Sequence, residues 1–232
     1  MDKRLQLVRA LVLIVSLVHC SPALSAAHGE LVTNGLLSQG RDGEPVGWRH
    51  SACGSGPEAV KFSWELSAAG VGVLKITNLQ LNDSLWAQRF AVSPSTWYRV
   101  SGWVRTQNAV PTIGAHLTVE HGFGSTDLRK TSDWQLLEFW MKTKPDQKSE
   151  ELQCRLGGSS ALSTGTAYFT AISFCEAKPP PWASPEQVYG ATFWDFREKP
   201  RVIEALLTLI LAPLLLRLLW RFVLPAPSRV PQ

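Results

Sequence analysis

Trp97-Tyr-Arg-Val-Ser-Gly-Trp-Val-Arg105 is the stretch on which the fold is decided. Val100, Gly102 and Val104 fall on one side of an extended chain. Ser101, Trp103 and Arg105 fall on the other, because side chains alternate across a strand. Similar runs occur at 71–74, 113–120, 134–141, 152–156 and 167–175, parted by Gly, Ser, Asn, Asp and Pro. No long helical period accompanies them, and no internal repeat is present. Many short strands at this spacing predict an all-β chain, an antiparallel sandwich or barrel.

The same alternation sorts the other runs. Ile113, Ala115, Leu117 and Val119 form an apolar set, opposed by His116, Thr118 and Glu120. Leu137, Phe139 and Met141 are opposed by Glu138 and Trp140. Leu152, Cys154 and Leu156 are opposed by Gln153 and Arg155. If these strands are neighbours, Trp103, Arg105, His116, Glu120, Glu138, Trp140 and Arg155 collect on one surface. Trp48, Trp97 and Trp134 sit at strand ends; Trp64 and Trp86 are left undecided.

Outside the strands, two apolar segments bracket the chain. Residues 1–27 carry Lys3, Arg4 and Arg9, then an apolar stretch, then small residues spaced for signal peptidase, as an exported protein's signal does. The apolar core is short for a bilayer crossing, although an uncleaved anchor is the alternative. Cys20 follows His19, where a lipoprotein signal wants a small residue. Residues 202–223 would cover about 33 Å as a helix, enough to span a bilayer. Arg217, Arg221 and Arg229 on the C-terminal side predict a single pass with the N-terminal side out; the alternative is a helix lying in the interface or packed on a partner. Between sandwich and span, 177–201 opens with Pro179-Pro-Pro181 and reads as a spacer. The expected organisation is a signal at 1–27, a sandwich at 28–176, the spacer at 177–201, the span at 202–223 and a cytoplasmic tail at 224–232. The globular part would face the periplasm or the cell exterior.

The net charge of +4 over 232 residues is modest, and much of the excess lies near the two ends. No basic tract argues for nucleic acid. Past the signal, Cys53, Cys154 and Cys175 leave one thiol over if a disulfide forms, and which pair would form is open. Asn82-Asp83-Ser84 is a sequon, relevant only in a eukaryotic secretory pathway.

A family resemblance enters on four ordered pieces. Asn34-Gly35 followed by Gly47-Trp48 comes first. Tyr98-Arg-Val-Ser-Gly-Trp-Val-Arg105 follows, then Asp133-Trp134-Gln-Leu-Leu-Glu-Phe-Trp140, then Gly165-Thr-Ala-Tyr-Phe-Thr-Ala-Ile-Ser-Phe174. Together they resemble carbohydrate-binding modules of the galactose-binding-like, jelly-roll class, over about 145 residues. The resemblance implies an antiparallel jelly-roll β-sandwich, a carbohydrate or polysaccharide partner, and a place in the core for Trp48, Trp97 and Trp134, since that class usually buries an aromatic at those strand ends. Ser38 and Thr170 stand where that class often carries acids for a structural calcium. A hard cation needs carboxylate oxygens, so no cofactor is expected.

The seven outward residues suit sugar recognition, with flat aromatic rings for C–H faces and planar polar groups for hydroxyls. The blander reading covers the two tryptophans and makes the charges a solvated cross-strand ladder. Glu120 and Glu138 are the one conceivable glycosidase pair, but no strand motif of jelly-roll glycanases is present, and no nucleophile setting surrounds His50, His116 or His121. The chain therefore reads as a non-catalytic, membrane-anchored carbohydrate-binding domain. The rival reading is an interaction subunit holding a membrane-protein partner.

Overall fold

One twenty-residue strand, β5 (Gly72–Ala91), serves both layers of the protein, and its polar middle marks the crossing. The structure is a computed structural model describing residues 29–159 and 161–190. The expected signal, span and tail lie outside those residues.

Residues 72–78 of β5 pair with β4 (Val60–Leu66) on one side, and β10 (Ser163–Glu176) pairs along the other. Next to β10 come β6 (Trp97–Pro111), β8 (Lys130–Lys142) and the short parallel β11 (Val188–Tyr189). Residues 82–91 of β5 pair instead with β3 (Arg49–Gly54) and β9 (Ser149–Leu156), and β9 pairs with β7 (Ala115–Val119). A small hairpin of β1 (Gly40–Arg41) and β2 (Glu44–Pro45) precedes them. The protein is an all-β sandwich, antiparallel in every pairing except β11 with β8.

Alternation builds the core. Val100 and Val104 of β6, Phe139 and Met141 of β8, and Leu74 and Ile76 of β5 are buried from the first sheet. Trp86, Leu117, Cys154 and Leu156 meet them from the second. Gly102 shows how closely the layers approach: a Cβ there would lie 3.3 Å from the Leu117 Cδ1 of β7.

The crossing in β5 is held by amides. Asn78 Nδ2 donates to the carbonyls of Ser163 (3.0 Å), Asn82 (3.3 Å) and Leu156 (3.4 Å), and the Ser84 hydroxyl donates to Asn78 Oδ1 at 2.7 Å. Buried polar groups survive when each finds a partner. Asn82 is fully buried and donates to the Ser55 carbonyl, so the sequon asparagine is committed inside the fold.

Trp48 and Trp86 belong to the core as Trp134 does not; Trp134 is half-buried on an outer face. The expected spacer differs too. Its described part turns through Pro185–Gln187, where Ser184 and Gln187 form a reciprocal cap, and then adds β11 beside Trp140 and Met141. The Tyr189 hydroxyl donates to the Gly124 carbonyl at 2.6 Å, and its ring stacks on Phe123 at 5.0 Å. A run of prolines forbids ladder pairing only where it stands, and residues beyond it are free to pair.

Candidate functional site

The seven candidate residues divide between two faces. Trp103 and Arg105 of β6 and Glu138 and Trp140 of β8 lie on the outer face of the first sheet. His116 and Glu120, on and just after β7, and Arg155 of β9 lie on the outer face of the second. They do not form one surface, because β5 carries the chain from one layer to the other between them.

On the first sheet, the two indoles expected to stand open differ: Trp103 is half-buried and Trp140 is covered. Trp140 retains 5% exposure, with Val188 of β11 aligned beside it. Glu138 is occupied by Arg99, whose Nε and Nη2 donate to it at 3.0 and 2.6 Å. The end of the sheet around Arg105 is different. The Arg105 guanidinium lies 4.2 Å over the Tyr168 ring and 5.6 Å over the Trp134 ring. The two rings meet edge to face at 6.5 Å. Lys75 Nζ stands 5.6 Å from the same tyrosine ring and 3.3 Å from Glu65 Oε1. Tyr168 donates its hydroxyl to Gln107 Oε1 at 3.0 Å. Trp103, two residues along β6 on the same side, pairs across to Leu136, which is 37% exposed.

A bulge assembles this group. Val104 pairs with Gln135 and Thr106 with Ser132, so Asp133 and Trp134 together oppose Arg105. Two residues opposite one bend the strand and re-aim a side chain. Tyr168 is the direct cross-strand partner of Arg105 from β10, and Lys75 is the partner of Tyr168 from β5. Sequence reasoning missed Trp134, Tyr168 and Lys75. Parity alone would have found the first, since Trp134 shares its side of the strand with Glu138 and Trp140.

The second sheet's outer face is a self-paired charge array. Arg155 grips Asp83 with two nitrogens, and the Asp83 side chain keeps only 4% exposure. Arg49 and Arg89 both reach Glu151, Arg89 also reaches Glu120 at 2.7 Å, and Gln153 Nε2 donates to Glu151 Oε1. The hydrogen bond to Asp83 raises the Arg155 pKa above the ordinary guanidinium value. Burial alone would raise the Glu151 carboxyl; the bonds from Gln153 and Arg49 and the charges of Arg49 and Arg89 outweigh it and hold the pKa low. Burial keeps His116 below the usual imidazole value, and the Arg155 charge adds to that. This face presents no aromatic ring among the strand positions named, and its carboxylates already have partners. Glu120 and Glu138 stand on opposite layers and cannot act on one bond.

Where a calcium would be expected from the family resemblance, the groups present do not fit one. The Thr170 hydroxyl donates to the Gly72 carbonyl at 2.7 Å, and the Asn34 amide is engaged with Gln39 and Val46. Ser38 brings no carboxylate, and no group of three metal-ligating side chains occurs among the described residues. Cys154 is sealed in the core, where burial drives its pKa far up, while Cys53 is exposed on β3; the two do not pair.

No family model matches the chain, and no curated protein matches it. The fold resembles that of carbohydrate-binding modules. One similar solved structure is a family 4 carbohydrate-binding module, at 15% identity and a TM-score of 0.48, covering 63% of this chain and 99% of that one. A family 61 module in complex with β-1,4-galactotriose is similar at 15% identity and a TM-score of 0.45, over 64% and 99%. The enzymatically active domain of a tailspike protein from bacteriophage CBA120 is similar at 10% identity and a TM-score of 0.46. There 63% of this chain is covered, and the chain spans about a fifth (21%) of the tailspike chain.

Proposed function

We propose that this chain is an exported, membrane-anchored, non-catalytic domain that binds carbohydrate on the outer face of its first sheet, engaging a polysaccharide at the cell envelope. The observation that carries the reading is the pair of rings, Trp134 and Tyr168, gathered around Arg105 on an outer sheet face, with half-buried Trp103 two residues along the same side of β6. A pyranose offers an apolar C–H face and a rim of hydroxyls, and this surface supplies rings beside planar donors. One stacked ring contributes about 1–2 kcal/mol from buried apolar area. That falls short of the roughly 4 kcal/mol of a millimolar complex, so several contacts or many tethered copies must act together. Anchoring at a membrane supplies such copies. The self-paired second face supports this choice of surface, since its acids have few acceptors left to offer.

The test is a glycan array probed with the detergent-solubilised full chain and with Trp103→Ala and Trp134→Ala variants. Binding to a defined glycan class that each substitution weakens about 5- to 30-fold, the equivalent of one stacked ring, is expected. Absence of any glycan binding by the wild-type chain would overturn the reading, and capture of a protein partner undisturbed by both substitutions would replace it with a scaffold role.

A further inference from the structure

Arg105 is half-buried on its sheet yet pairs with no acid among the described residues. Arg49, Arg89, Arg99, Arg129 and Arg155 each pair with a carboxylate. Three of them, Arg99, Arg129 and Arg155, set that carboxylate on the Nε edge, at 3.0, 2.7 and 2.6 Å. The Arg105 Nε is buried with no acceptor among the described residues. A guanidinium offers five donors in a planar fork and no acceptor, and a buried donor left alone is costly. The rings of Tyr168 and Trp134 hold its plane but cannot answer its edge. Lys75 adds a second cation on the same side, partly offset by Glu65 at 3.3 Å. The nearest acid along β8, Asp133, accepts from the backbone N–H of Trp134 through Oδ1. Cation–π stacking fixes the fork while leaving its charge uncompensated.

We propose that this surface recognises an acidic sugar, its Arg105 fork taking the carboxylate of a uronic-acid residue while Trp103 and Trp134 flank the neighbouring pyranose rings. This rests on the carbohydrate reading above and names its ligand class. With the Nε closed to solvent, the carboxylate would take the two terminal nitrogens of Arg105. Planarity favours it: two parallel N–H···O bonds match a carboxylate edge. Lys75, a point charge two strands away, would add attraction that salt screens.

The experiment compares polygalacturonate and alginate with their carboxyl-reduced counterparts, which keep the linkages and lose the charge. Binding of the full chain is read by affinity electrophoresis, with thermal melts to confirm that each variant folds. At least tenfold tighter binding of the acidic polymers is expected, because charge-assisted bonds are the strong ones. Arg105→Gln should abolish that preference, Arg105→Lys should keep part of it, and both should leave the melting temperature nearly unchanged. Equal binding of acidic and reduced polymers would overturn the acidic-sugar proposal and leave the carbohydrate reading standing. So would binding of a neutral glycan alone, or tighter binding of a sulfated galactan free of carboxylates. Failure of every polymer and every arrayed glycan would overturn both.

Discussion

Replacing Arg155 with Met should cost far more than its place on an outer sheet face suggests. The Asp83 side chain beneath it keeps 4% exposure, and no other group among the described residues donates to its carboxylate. Arg155 itself keeps 19%. Removing one partner of a buried pair leaves a desolvated charge, worth about 3–5 kcal/mol. Partial access of water past Arg155 places this pair at the lower end, about 3 kcal/mol. At about 2–4 °C per kcal/mol for a chain of this size, the melting temperature should fall by about 6–12 °C. The opposite substitution, Asp83→Leu, should cost less, about 1–2 kcal/mol, because the freed guanidinium can turn toward water. The double variant Asp83→Leu/Arg155→Met should recover much of the single loss, since a pair replaced by apolar groups is often neutral. Urea unfolding of the four proteins completes the cycle. The reasoning is refuted if Arg155→Met lies within about 0.5 kcal/mol of wild type, the range of an ordinary surface change.

Two more outcomes follow from the same coordinates. His116 takes up its proton less readily in the fold than in the unfolded chain, chiefly through burial, with Asp127, Asp83 and Arg155 as its charged neighbours. Its folded pKa therefore lies below 6.5, and its contribution to stability is complete above that value and lost as pH falls from there toward the folded value. Denaturant unfolding from pH 7.5 to 5 should show this slope, and His116→Gln should flatten it; an unchanged slope would count against the assignment. In a Cys20→Ser background, a thiol reagent should label Cys53 in the native chain and reach Cys154 only after unfolding, because the thiolate reacts and burial suppresses it. Native labelling of Cys154 at the Cys53 rate would contradict its place in the core.

The sandwich was legible wherever a strand carries one apolar face. Val100, Gly102 and Val104, or Leu152, Cys154 and Leu156, alternate because one side meets the core. The long β5 was not legible beyond its first residues. Asn78, Asn82, Asp83 and Ser84 are of the residue types that part the runs elsewhere, yet they lie inside the strand because carbonyls from Leu156 and Ser163 satisfy Asn78 there. That hidden crossing is also why the candidate residues were placed together. Without it, β6 and β8 could not be known to lie in a different layer from β7 and β9. The covering of Trp140 was hidden for a related reason: two residues beyond a proline-rich stretch, Val188 and Tyr189, carry no alternation of their own. The bulge at Asp133 and Trp134 has no signature in the sequence, since it arises from a register shift between two strands.

Hydroxyl-radical footprinting of the full chain with and without its bound polysaccharide tests the central claim most directly. The account predicts that the ligand protects Trp103, Trp134 and Tyr168 while exposed residues on β3 and β9 keep their reactivity. Protection confined to the face of β3, β9 and β7, with those three rings as reactive as in the free protein, would contradict it.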